Sequence, residues 1–84
     1  MNIQIIGHES IALRTLEHHV REAIRILRLE TTMRTTDDKS VIAQHNVTFD
    51  PVLLVDDHIV WQGGIPAFET IVQTLIESSH PQQV

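Results

Sequence analysis

His8, Glu9 and Ser10 stand side by side in the stretch Gly7-His8-Glu9-Ser10-Ile11-Ala12-Leu13, between a short apolar run and a long amphipathic one. An imidazole, a carboxylate and a hydroxyl at a strand-to-helix junction offer distinct chemistries. The Ser10 hydroxyl can hold an external thiolate, such as that of glutathione, where the partial positive charge of a helix N-terminus favours an anion. It can equally serve as the helix N-cap, a position serine favours. His8 can act as a pH-sensitive group near neutrality. Asp56-Asp57 is a carboxylate pair of the kind used in acid–base work, yet its place between two apolar runs reads as a turn. The chain has six histidines. His18 and His19 are neighbours on the long helix and point about 100° apart. No His-x3-His pair falls on a helix, so no zinc signature is present and no metal ligand is expected. Cysteine is absent, which excludes thiolate nucleophiles, disulfides, cysteine-ligated zinc and iron–sulfur clusters. No catalytic residue and no cofactor are expected.

These residues need elements to position them. Ile3 to Ile6 reads as a short strand, Gly7 to Glu9 as a turn, and the stretch to about Arg28 as a helix. Leu13, Leu16, Val20, Ala23, Ile24 and Leu27 fall on one face of that helix. Arg14, His18, Arg21, Arg25 and Arg28 fall opposite, with Glu17 to Arg21 a favourable i,i+4 pair on a solvated face. Leu29 to Thr35 is the second strand. Thr36 or Asp37 caps a short helix through Gln44 with Val41 and Ile42 inward, and Asn46 stops it in the left-handed region. Val52 to Val55 is a central strand. Asp56-Asp57 turns the chain into His58 to Gln62, and Gly63-Gly64 ends that strand. Pro66 suits the first turn of a last helix that buries Phe68, Ile71, Val72, Leu75 and Ile76.

The order β-α-β-α-β-β-α implies an α/β fold: a four-stranded mixed sheet with helices on both faces. The first two strands are parallel through a right-handed crossover and the last two antiparallel. With 84 residues, residues 1–79 form one domain and 80–84 a frayed tail. Apolar residues make up 42 % but only Phe49, Trp61 and Phe68 are aromatic, so aliphatic side chains must form the core. A net charge of −5 argues against nucleic acid as a partner. No apolar run is long enough to span a membrane. The first residues lack the features of a signal peptide, so a cytoplasmic location is expected.

The element order, a strand ending in Gly7 before a helix, and the stretch Asp50-Pro51-Val52-Leu53-Leu54-Val55-Asp56-Asp57-His58-Ile59-Val60 together resemble the small thioredoxin-like family of redox-active disulfide proteins, over nearly the whole chain. In that register Ser10 stands where the family has its nucleophilic cysteine and Leu13 where it has the resolving one. Dithiol–disulfide exchange requires sulfur at those positions, so the resemblance implies the fold without the redox reaction. It further implies that Pro51 is cis and that Thr48 to Asp50 offers backbone to an extended segment, in the manner of strand addition.

The expected function is therefore a redox-inactive binding module. Its groove is Gly7, His8, Glu9, Ser10, Ile11, Phe49, Asp50 and Pro51, and it takes a protein segment or a small ligand. Two alternatives stand beside it. One is glutathione binding or glutathione-dependent chemistry at Ser10. The other is a structural subunit, a homodimer included, that assembles through the sheet edge with Trp61 and Ile59 on one face by strand alternation. For Trp61, capping the core under the last helix is an equal reading.

Overall fold

A computed structural model describes residues 1–45 and 49–79. The helix stop expected at Asn46, the groove position Thr48 and the tail 80–84 lie outside the described residues. The elements are β1 (Asn2–Ile6), α1 (Ile11–Leu27), β2 (Thr32–Thr36), α2 (Lys39–Gln44), β3 (Val52–Val55), β4 (His58–Gln62) and α3 (Phe68–Ser79). The sheet order is β2-β1-β3-β4. β1 and β2 are parallel, while β3 is antiparallel to both β1 and β4. This is the α/β architecture expected from the order of elements.

Alternation along the central strands assigns their side chains to two layers. Ile3 and Ile5 of β1 and Leu53 and Val55 of β3 join Leu13, Leu16, Val20 and Ala23 of α1 and Ile71 and Leu75 of α3 in the main core. Ile6, Val52 and Leu54 face the other way, under Val41 and Ile42 of α2. Each fully buried aliphatic side chain contributes roughly 1.5–3 kcal/mol. With so few aromatics, this aliphatic lattice holds the helices in place.

The element ends depart from the sequence reading in four places, each for a local reason. First, α1 closes with Arg28 in the left-handed region at φ 54°. Its N–H donates to Arg25 O at 3.3 Å, and that of Leu29 to Ile24 O at 3.1 Å. This cap occupies Leu29, so β2 begins at Thr32 rather than Leu29. Second, α2 is capped by Asp38, not Thr36 or Asp37. Asp38 Oδ1 accepts from the Ser40 N–H at 2.8 Å and from Ser40 Oγ at 2.7 Å. Third, α3 starts at Phe68, because the Ala67 carbonyl accepts its first helical bonds, from Thr70 and Ile71. Pro66 is buried just outside that helix.

The fourth departure is in β4. Its register against β3 shifts between Leu53 and Leu54, so Trp61 pairs with Leu53 and Ile59 with Leu54. Adjacent residues of β3 face opposite sides, and the bulge therefore separates Trp61 from Ile59. The expectation that the two share one face is corrected. Trp61 packs half-buried against the main core, whereas Ile59 is exposed on the edge strand.

The Asp56-Asp57 turn has φ of 50° and 69°, the mirror-image turn that matches strand twist in two-residue hairpins. Asp56 also clasps the start of β1. Its N–H donates to Asn2 O at 2.8 Å, and its Oδ1 accepts from the Asn2 N–H at 2.8 Å.

Candidate functional site

The turn after β1 and the segment before β3 meet at Gly7. The Gly7 N–H donates to Thr36 O at 3.1 Å, and the residue is buried. A Cβ at Gly7 would lie 3.0 Å from Pro51 Cα and 3.2 Å from Asp50 Cβ. Glycine is thus the residue that lets the two segments touch. Pro51 is fully buried, and the Asp50–Pro51 peptide is cis.

His8 fastens the same junction. Its backbone N–H donates to Asp50 Oδ2 at 3.2 Å, and its Nδ1–H donates to the same oxygen. The hydrogen bond from the His8 ring holds the Asp50 carboxyl below its usual range. Glu9 turns the other way, to a bidentate pairing with the Arg14 guanidinium. That pairing lowers the Glu9 carboxyl and raises the guanidinium. Asp50 thus belongs to the junction and Glu9 to the side of α1.

Ser10 is the N-cap of α1. Its Oγ accepts from the Leu13 N–H at 3.0 Å, and its carbonyl accepts from the Arg14 N–H at 3.1 Å. A serine cap is worth about 1 kcal/mol. Leu13 is 1 % exposed and belongs to the main core. Ser10 and Leu13, the positions expected from the sequence to match redox cysteines, are a helix cap and a packing residue.

Around this junction the surface is apolar where apolar residues are ordinarily hidden. Ile11 is 82 % exposed, Phe49 62 % and Ile65 54 %. Ile11 stands three residues past His8, and Phe49 one before Asp50. An open cleft of about 380 Å³ is lined by Glu9, Ser10, Ile11, Arg14, Thr15 and His18. Gly63, read from the sequence only as a strand breaker, has φ +83°, and a Cβ there would come within 3.1 Å of Phe49 Cβ. Its N–H donates to Pro51 O at 2.9 Å. The glycine turn thus backs Phe49 and carries Ile65 to the same end of the sheet. Sequence reasoning missed Gly63 and Ile65. The signal was the apolar residue placed directly after two glycines.

Glu17 was also misread. It is the buried carboxylate of α1, not part of a solvated face. It accepts from Thr35 Oγ1 at 2.6 Å and from Arg14 Nη1 at 3.2 Å, with Arg21 Nη2 at 3.7 Å. The Thr35 hydroxyl first, then the two guanidiniums, hold its carboxyl below the usual range. The signal was in the spacing, since Glu17 sits four residues after Leu13 and three before Val20, inside the apolar stripe.

Replacing Glu17 with Gln is expected to cost about 1–3 kcal/mol at neutral pH, by loss of charge-assisted hydrogen bonds in a buried place. The folded pKa is lowered, so this stabilisation is complete above the unfolded carboxylate value of about 4.3 and is lost as pH falls through the lower folded value. Urea unfolding should show the gap between wild type and Glu17→Gln closing on acidification below that range. A gap that stays constant with pH would contradict the assignment.

Among the described residues, no helix is long and apolar enough to cross a membrane. The family model described as thioredoxin domain matches residues 1–76. No curated protein and no solved structure matches the chain.

Proposed function

The chain belongs to the thioredoxin-domain family, and on that premise we propose that it is a binding module that grips an extended protein segment at the end of the sheet where the family's redox site would lie. With no cysteine, the module is redox-inactive. Its setting in this reading is the cytoplasm. The observation that carries the proposal is the contrast at this end of the sheet. A tightly fastened junction of Gly7, His8, Asp50 and Pro51 is flanked by large apolar side chains, Ile11, Phe49 and Ile65, left open to solvent. Fixed backbone with exposed apolar anchors suits strand-like recognition, in which backbone bonds give affinity and side-chain contacts give selectivity. The backbone of Phe49 and Asp50 is the stretch that would pair with the incoming segment.

The test is selection of displayed random peptides on the wild-type protein and on Ile11→Arg. Ile11 is outside the core, so its replacement should leave stability within about 0.5 kcal/mol while placing a charge on the binding surface. Peptides enriched on wild type and at least tenfold weaker on Ile11→Arg are the expected result. Equal retention by both proteins would overturn the groove. Turnover of a disulfide substrate by the pure protein would overturn the redox-inactive assignment.

A further inference from the structure

We infer that the groove selects segments carrying a lysine or arginine beside a large apolar residue. The inference rests on the groove reading above and gives the partner its chemistry. Asp50 presents its carboxylate at the junction with its side chain 30 % exposed, directly after the exposed Phe49. Among the described residues its one ionic partner is His8, which carries charge only when protonated. The carboxylate accepts two N–H bonds from His8, and it has acceptor capacity left for a cation.

Among the described residues, no Lys or Arg lies within ion-pair distance of Asp50. From the approach to α1 and its first turn come Glu9 and Arg14, and Arg14 is engaged by Glu9 and Glu17. From the connection between β2 and α2 come Asp37, Asp38 and Lys39, with Asp38 committed to capping α2. The end of β4 and the stretch from Gln62 to Ala67 contribute no ionisable side chain. Among the described residues, His8 alone pairs with Asp50. A segment that covers Phe49 and Ile11 with an apolar side chain gains roughly 25 cal/mol for each Å² buried. A neighbouring Lys or Arg then meets a carboxylate already fixed in place, and an acidic residue there meets repulsion. Charge of this kind adds selectivity more than affinity.

The experiment extends the peptide selection to Asp50→Asn. The pool from wild type should be enriched in Lys and Arg over the input, and the pool from Asp50→Asn should lose that excess. The affinity for a basic peptide should fall about threefold from wild type to Asp50→Asn, as expected for one partly exposed ion pair. A wild-type pool that exceeds Ile11→Arg but carries no basic excess would overturn the charge selectivity and leave the groove standing. So would a basic excess that persists on Asp50→Asn. A pool no richer on wild type than on Ile11→Arg would overturn groove and selectivity together.

Discussion

Replacing Leu13 with alanine is expected to destabilise the domain by about 2–5 kcal/mol, the range for removing a leucine side chain from a packed core. Leu13 is 1 % exposed, in the cluster that joins α1 and α3 to β1 and β3. Domains of this kind have a total stability of roughly 5–15 kcal/mol, so the loss is a large share of what holds the fold. Urea unfolding should show a large drop in midpoint with little change in slope. The resemblance read from the sequence sets this position against a resolving thiol, and here it carries a core side chain. A variant with near wild-type stability would mean that the α1 N-terminus collapses freely around the missing atoms, and that Leu13 is a placeholder rather than a keystone.

The second large effect is expected at Gly7. Its backbone contact with Pro51 leaves no room for a side chain, since the nearest atom to an added Cβ is backbone Cα at 3.0 Å. A flexible side-chain tip would yield to the newcomer, but a proline backbone under β3 does not. Gly7→Ala should therefore cost about 1–3 kcal/mol by overpacking, and Gly7→Val more. The strain falls on the junction that His8 and Asp50 fasten, so the proposed peptide binding should fall before the fold is lost. Backbone amide shifts at His8 and Asp50, read beside the urea midpoint, check both effects. Gly7→Ala with wild-type stability and intact binding would show that the two segments separate without penalty.

Long-period patterns were legible in the sequence and short-range competition was not. The stripe Leu13, Leu16, Val20, Ala23 marked α1 and its buried face, because a helix repeats every 3.6 residues whatever lies around it. The apolar run Val52 to Val55 marked a central strand for the same kind of reason. Asp56-Asp57 marked its turn through residues that tolerate positive φ. Where several residues could serve, the choice depended on partners far along the chain. Asp38 became a cap over Thr36 and Asp37, and Thr36 was left to accept from the Asp38 N–H at 3.2 Å. Glu17 looked like a surface ion pair because its closest partner, Thr35, lies on β2. The bulge in β4 had no local mark at all, and it alone decides which face Trp61 takes. The segments 7–11 and 49–51 were expected to lie together, and Gly7 does meet Pro51 and Asp50. The fastening of one to the other through His8 and Asp50 was not expected, because it needs the fold to bring together residues 42 positions apart.

The clasp between Asp56 and Asn2 has a mechanical meaning. β1 lies inside the sheet with a neighbour on each side, and its first residue is held by two bonds of 2.8 Å to the hairpin turn. A pull applied at Met1 meets two fastenings: Met1 O, which accepts from Thr31 Oγ1 at 2.8 Å and from the Thr32 N–H at 3.4 Å, and the pair that Asp56 makes with Asn2. Tension at this end is thus shared between the start of β2 and the β3–β4 hairpin.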